Sequence, residues 1–260
     1  MLRMMGPTFF AKRLAPMMKF FAALLCMFTG LAHAEPALLT DLALPYLAAA
    51  PAETTNKPLV IFLHGYGSDE RDLLDIKNDL SPDYTYLSVR APQEVDGGGY
   101  KWFTQDTDQA EYEGVTSDVD KSTDLLRTFI QQATEKYRTQ PEKVVLVGFS
   151  QGAMMTYQIG LQYPELVHGI APLSGKILAA LHSRLKPDER LKPLKVFIGH
   201  GSADTRVVYS GATDARAVLE NLLIVPEFHS YAGAGHTITT AEVADLKRWL
   251  ERELASKGSE

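Results

Sequence analysis

The chain has 260 residues, with 26 Lys and Arg against 32 Asp and Glu, and its formal net charge is −6. This acidic balance disfavours nucleic acid or an anionic membrane surface as the main partner. The one cysteine, Cys26, lies in the segment that we expect to be removed. The sequence therefore predicts no disulfide, no thiol nucleophile and no cysteine metal site.

The first 34 residues have the pattern of a secretory signal peptide. Basic residues without any carboxylate precede an apolar run at residues 20–32, which leads into the small-x-small pattern AHA. This pattern predicts cleavage after Ala34 and a secreted or periplasmic location. A membrane anchor is the alternative, but a spanning helix needs roughly 20 apolar residues and this run is shorter. Met17 and Met18 offer a later start that would give a more ordinary signal.

Residues 35–260 alternate short apolar runs with amphipathic stretches, which predicts one α/β catalytic domain. Continuous apolar or alternating runs predict strands at residues 59–63, 84–89, 143–148, 166–173, 194–199 and 225–231. Apolar residues at helical spacing predict helices at residues 118–137, 151–162, 212–223 and 240–254. We expect a mainly parallel sheet with helices on both faces, with edge strands from residues 36–52 and a functional loop region at residues 91–117.

The pentapeptide GFSQG at residues 148–152 follows the clearest predicted strand and opens a predicted helix. A G-x-S-x-G string is weak evidence alone, but strand–turn–helix is the context of a nucleophile elbow. Such a turn holds its serine in a strained backbone conformation. We therefore predict Ser150 as the nucleophile of an α/β-hydrolase fold. An ordinary turn with a solvent-facing serine is the alternative.

A serine nucleophile needs a base that is oriented by a carboxylate, and in this fold both follow the serine, with the acid first. His236 lies in a Gly-rich loop between the last predicted strand and the last helix, and it is the predicted base. Asp204 follows the strand at residues 194–199 and is the predicted acid. Asp214, on a predicted helix, is the competing acid. His200 precedes the acid in the chain and is the less suitable base.

An oxyanion hole needs two backbone N–H groups aimed at the developing negative oxygen. One comes from the residue after the nucleophile, which is Gln151. The other comes from the loop after the strand at residues 59–63, where Tyr66 is the predicted donor. His64 in the same loop is interpreted as a structural histidine.

These motifs together resemble the carboxylesterase, phospholipase and acyl-protein thioesterase family of α/β hydrolases. The matching strings are LHGYG at residues 63–67, GFSQGAM at 148–154, HGSAD at 200–204 and GH at 235–236. The segment GGYKWF at residues 98–103 is similar to the family's substrate loop, so the resemblance implies that Trp102 lines the substrate pocket. It also implies a serine esterase without a large cap domain, acting through an acyl-enzyme and without a cofactor on small to medium acyl esters or thioesters.

Other functions remain open at this stage. Secretion would suit a feruloyl or polymer esterase, and a comparison of short acyl esters with feruloyl esters would separate the two. A catalytically inactive hydrolase-fold binding protein would fail to react with a fluorophosphonate probe. A peptidase is disfavoured because no added domain offers a peptide channel. The sequence leaves the natural substrate and a homodimeric state open.

Overall fold

The structure, a computed structural model, describes residues 36–108 and 111–255. The predicted signal peptide, residues 1–34, lies outside the described residues, and so does Cys26. In the two described ranges, no helix is long and apolar enough to span a bilayer.

A seven-stranded sheet forms the centre of the described domain. Its strands are β1 (Tyr46–Ala49), β2 (Leu59–Leu63), β3 (Thr85–Val89), β8 (Val144–Phe149), β9 (Gly169–Leu173), β10 (Lys195–Gly201) and β11 (Glu227–Tyr231). The order across the sheet is β1-β3-β2-β8-β9-β10-β11. The strand β1 pairs antiparallel with β3, and the other pairings are parallel.

The central strands are buried on both faces, which explains why their sequences are continuously apolar. In β2, Leu59, Ile61 and Leu63 pack into the core on one face of the sheet. Val60 and Phe62 alternate with them and pack into a second core on the other face.

Helices cover both faces of the sheet. The α-helices are α1 (Thr116–Lys136), α2 (Gln151–Gln162), α3 (Ala179–His182), α4 (Ser210–Asn221) and α5 (Thr240–Glu253). Short 3₁₀ helices occur at Leu74–Asp79, Pro141–Lys143, Pro164–Leu166 and Glu189–Leu191. Buried side chains of α1, α2 and α4 join the core on one face, and those of α5 join the core on the other.

The predicted fold class, a mainly parallel sheet with helices on both faces, is confirmed. Residues 36–52 contribute one edge strand, β1. The loop region at residues 91–117 contains two small hairpins, one of β4 (Gln93–Glu94) with β5 (Tyr100–Lys101) and one of β6 (Gln105–Asp106) with β7 (Glu113–Gly114). The parallel strands all end at the same edge of the sheet, where open α/β sheets hold their sites.

Candidate active site

Ser150 occupies a sharp turn between β8 and α2. Its φ of 55° and ψ of −115° lie outside the regions that a serine ordinarily adopts, and its N–H donates to the Leu173 carbonyl at 3.0 Å. A Cβ at Gly152 would lie 1.9 Å from the Leu63 carbonyl oxygen, and one at Gly148 would lie 2.3 Å from the carbonyl oxygen of Gly152. Both glycines are therefore required by the close approach of backbone segments.

The structure brings Ser150, His236 and Asp204 into one hydrogen-bonded chain. The His236 Nε2 lies 3.0 Å from Ser150 Oγ, and His236 Nδ1 lies 2.7 Å from Asp204 Oδ2. A carboxylate can only accept, so Nδ1 carries the proton, and Nε2 is left to accept the hydroxyl proton of Ser150. All three side chains are largely buried. The arrangement can move a proton from the serine to the imidazole.

Asp204 is held by several donors besides His236. Its Oδ1 accepts the backbone N–H groups of Arg206 at 2.8 Å and Val207 at 3.1 Å. His200 Nε2 donates to the Val207 carbonyl at 2.8 Å and lies 3.3 Å from Asp204 Oδ2. Burial lowers the pKa of His200, so a neutral ring supports the loop that carries Asp204.

Asp214, the competing acid, is not part of this arrangement. It is exposed on α4 and lines a different cavity, together with Lys176. The structure therefore does not bring Asp214 to Ser150.

The loop after β2 runs directly beside Ser150. A Cβ built on Gly65 would lie 3.4 Å from Ser150 Cβ, so the backbone next to Tyr66 is in contact with the serine. Gln151 is the first residue of α2, where backbone N–H groups have no partner within the helix. The two predicted oxyanion donors thus lie on segments that meet at Ser150.

His64 fixes the same loop from inside the fold. Its Nδ1 donates to the Gly65 carbonyl at 2.7 Å, and its Nε2 accepts the N–H of Ala91 at 3.1 Å. Burial lowers the pKa of His64, which keeps the ring neutral, as these two bonds require. The interpretation of His64 as a structural histidine is confirmed.

The structure does not bring Trp102 to the cavity at Ser150. The ring is fully buried, and its Nε1–H donates to the His64 carbonyl at 2.9 Å. A buried indole N–H requires an acceptor, and here the acceptor is a backbone carbonyl of the loop after β2. The predicted substrate contact of Trp102 is corrected accordingly, because the ring supports this loop from the interior.

The side chain of Gln151 joins the serine turn to the loop region. Its Oε1 accepts the N–H of Trp102 at 3.0 Å, and its Nε2 donates to the Phe103 carbonyl at 2.9 Å and the Tyr112 hydroxyl at 3.0 Å. Sequence reasoning used only the backbone of Gln151. The available signal was an amide directly after a predicted buried strand, because the polar atoms of a buried amide must find partners.

Two cavities open beside Ser150 and His236. The first, which we call the serine cavity, has a volume of about 440 Å³ and is lined by Gly65, Tyr66, Ser68, Asp72, Gln105, Tyr112, Phe149, Ser150, Arg206, Val207 and His236. The second, which we call the apolar cavity, has a volume of about 320 Å³ and is lined by Asp72, Leu73, Ile76, Phe149, His236, Thr237, Ile238 and Val243. The sequence analysis missed Tyr112 and Arg206, because both lie outside the short motifs from which the site residues were predicted. Within the described ranges, no group of three or more His, Asp or Glu side chains is arranged to hold a metal ion.

Comparison with known proteins identifies the family. The phospholipase/carboxylesterase family model matches residues 45–254. This chain belongs to the phospholipase/carboxylesterase family. Carboxylesterase SOBER1 of Arabidopsis thaliana is 31% identical over 121 residues, which cover 46% of this chain and 53% of SOBER1. The chain thus spans about half the length of this curated relative.

Other members of the family match over more of their length. Acyl-protein thioesterase 1 of Mycosarcoma maydis is 30% identical over 224 residues, which cover 76% of this chain and 92% of that protein. The crystal structure of esterase PE8 superposes with a TM-score of 0.70 at 30% identity, covering 83% of this chain and 100% of that chain. These names all denote hydrolases of the esterase type.

The family also overturns the predicted secreted or periplasmic location. The relatives that match over most of their own length are named as acyl-protein thioesterases and a lysophospholipase-like protein, and none of them is named as a secreted protein, so that prediction is wrong. The physical reason is that an apolar run of about a dozen residues is not specific. It suits a buried helix or an interfacial segment as well as a signal peptide.

Proposed function

We propose that this protein is a serine carboxylic-ester hydrolase that acts through an acyl-enzyme on small to medium acyl esters or thioesters. The observation that carries the proposal is the hydrogen-bonded chain from Ser150 through His236 to Asp204, with distances of 3.0 Å and 2.7 Å. Ser150 and His236 both line a cavity of about 440 Å³, which is large enough for a small ester. Membership of the family supports ester hydrolysis as the class of reaction.

In the first half of the proposed reaction, Ser150 Oγ attacks the carbonyl carbon while His236 Nε2 takes the hydroxyl proton. The carbonyl oxygen becomes negative, and the backbone N–H groups of Tyr66 and Gln151 donate to it. Loss of one such donor typically costs about 3–4 kcal/mol in the barrier. His236 then passes the proton to the departing alcohol or thiol, and the acyl group stays on Ser150.

In the second half, His236 takes a proton from water, and the oxygen of that water attacks the acyl carbon. The acid leaves, and the proton returns to Ser150. Asp204 holds the imidazole in the required tautomer and stabilises its charged form in both halves. None of these steps requires a cofactor.

The test is a chain-length series of acyl esters and matching thioesters, run with the wild-type chain and with Ser150→Ala. We expect turnover of at least one series by the wild type, and labelling of the wild type but not the variant by a fluorophosphonate. Equal turnover by the variant would remove Ser150 from the mechanism. A wild type that neither labels nor turns over any substrate would favour the inactive binding protein.

The secreted feruloyl or polymer esterase rested on the location that the relatives contradict, and it is not retained. We propose residues 35–260 as the catalytic domain, a range that contains the family match. Limited proteolysis of the full chain should leave a protected core that begins near residue 35. A protected core that begins well before or after that residue would contradict the boundary. The oligomeric state stays open, and sedimentation of the full chain would test for a homodimer.

A further inference from the structure

Arg206 lines the serine cavity, two residues after Asp204. Its N–H donates to Asp204 Oδ1 at 2.8 Å, and the next residue, Val207, donates to the same oxygen at 3.1 Å. The Val207 carbonyl in turn accepts from His200 at 2.8 Å. The backbone from which the Arg206 side chain projects is therefore held firmly against the proposed acid.

Within residues 36–108 and 111–255, no carboxylate forms an ion pair with the guanidinium of Arg206. Among the described residues, every arginine except Arg138 and Arg206 forms an ion pair. Acidic residues outnumber basic residues in this chain, so a shortage of partners does not explain the exception. Arg206 thus leaves a full positive charge at the wall of the cavity that contains the serine.

Tyr112 supplies a second donor in the same cavity. Its hydroxyl oxygen accepts from Gln151 Nε2 at 3.0 Å, which leaves its own O–H proton to donate. Burial raises the pKa of Tyr112, and the positive charge of Arg206 acts in the opposite direction. The phenol therefore stays protonated and lies within the electrostatic reach of the guanidinium.

The charges around the serine are distributed unevenly. Asp72 lines both the serine cavity and the apolar cavity, whereas Arg206 and Tyr112 line only the serine cavity. Within the serine cavity an anionic group is therefore attracted by Arg206 and repelled by Asp72, whereas no lysine or arginine lines the apolar cavity. An apolar group fits the apolar cavity, which shares His236 with the serine cavity.

We propose that Arg206, assisted by Tyr112, makes this enzyme selective for esters or thioesters that carry a carboxylate on one part and an apolar group on the other. This inference rests on the proposed function, because the bond that is cleaved is the one attacked by Ser150. The carboxylate accepts hydrogen bonds from the guanidinium and the phenol while the apolar part occupies the apolar cavity. The carboxylate can belong to the acyl part or to the alcohol part of the substrate.

The test measures the ratio of kcat/KM for an anionic substrate to that for a neutral one. The acyl pair is p-nitrophenyl hydrogen glutarate against p-nitrophenyl pentanoate, and the alcohol pair is 3-acetoxybenzoate against phenyl acetate. For one of the two pairs, we expect the ratio to be about tenfold higher in the wild type than in Arg206→Gln. A tenfold difference corresponds to about 1.4 kcal/mol. The change should lie mainly in KM, since it removes binding shared by the ground state and the transition state.

The matched control is Arg138→Gln, which changes the other described arginine that forms no ion pair, an exposed residue outside both cavities. Its ratio should equal that of the wild type. Added salt should lower the wild-type ratio by screening the charge, with little effect on Arg206→Gln. Tyr112→Phe should lower the ratio less than Arg206→Gln does.

An unchanged ratio in Arg206→Gln for both pairs would overturn the inference. This includes an equal loss of kcat/KM on anionic and neutral substrates, because Arg206 would then act only through the loop that holds Asp204. Failure of the proposed function has a different signature, since Ser150→Ala would then still hydrolyse the neutral esters.

Discussion

One wall of the serine cavity is formed at the carboxyl edge of the seven-stranded sheet, and another comes from the loop region at residues 91–117. On the sheet side, Ser150 and Asp204 each follow a parallel strand, and His236 lies in the loop after the last one. On the loop side, the described backbone contributes four two-residue strands, and side chains hold it in place. The Gln151 amide is one such contact, and Lys176 Nζ, at 2.8 Å from Glu113, is another.

The difference separates chemistry from binding. The backbone hydrogen bonds of the sheet fix the proposed reacting groups Ser150, Asp204 and His236, so a change to one of these three groups should abolish the reaction without altering substrate affinity. Individual side chains position the second wall, so a change there should loosen the cavity and raise KM. The predictions below test this separation, beginning with the largest effect.

Replacement of the nucleophile gives the largest expected effect on the sheet side. Ser150→Ala should lower kcat by a factor of about 10⁶, the loss found when other serine triads lose their nucleophile. Hydrolysis of p-nitrophenyl butyrate measures it. Ser183→Ala, which changes an exposed serine just after α3, should retain full activity. A loss of less than about tenfold in Ser150→Ala would show that the sheet side does not supply the nucleophile.

Asp204→Asn should lower kcat by a factor of about 10⁴. The asparagine oxygen can still accept from Arg206 and Val207, but its NH₂ group would face His236 and favour the wrong tautomer. The same ester assay measures the loss. The matched control is Asp214→Asn, since Asp214 is exposed on α4, and it should behave as wild type. Equal losses in the two variants would contradict the assignment.

The buried carboxyl group of Glu242 should make the stability of the sheet side depend on pH. It is fully buried in the first turn of α5, just after the loop of His236, and burial raises its pKa from 4.5 to about 7. The folded state therefore binds the proton more tightly than the unfolded state. Its contribution to stability is fully present below pH 4.5 and is lost as the pH rises to about 7.

The free energy of unfolding of the wild type should therefore contain a term that falls by up to about 3 kcal/mol across that window. Glu242→Gln should remove this term, because glutamine also serves the capping box with Thr239 but does not ionise. Urea unfolding at either end of the window measures it. Glu251→Gln, an exposed change on the same helix, should keep the wild-type slope. If the unfolding free energy of Glu242→Gln falls with pH as steeply as that of the wild type, Glu242 is not the group responsible.

The smallest effect is expected on the loop side. Gln151→Ala leaves the buried N–H of Trp102 and the carbonyl of Phe103 without their partner, which should cost about 1–3 kcal/mol of unfolding free energy. It should also raise KM by about tenfold with a smaller change in kcat, since the backbone N–H of residue 151 is retained. Gln162→Ala at the far end of α2 is the control. A selective fall in kcat would contradict the separation between the two walls.

The sheet side could be predicted from the sequence because its signals are local. The runs at residues 59–63 and 143–148 predicted buried strands, and the glycines around Ser150 indicated the turn. Since parallel strands end at one edge, the loops of Asp204 and His236 could be expected to meet the serine there.

The loop side could not be predicted in the same way. Trp102 has the sequence context of a pocket residue, yet its ring faces the interior because the indole N–H finds its acceptor at His64. Tyr112 of this region and Arg206 of the loop after β10 lie almost a hundred residues apart in the sequence and are brought together only around the same cavity.

The sequence by itself determined the sheet, the turn of Ser150 and the chemical type of each proposed reacting group. Only the tertiary structure decided which side chains face the substrate, and only the relatives corrected the location. The physical reason is that strand and turn patterns are encoded by neighbouring residues, through spacing and backbone sterics. The direction of a loop side chain depends on partners contributed by distant segments, and no local pattern records them.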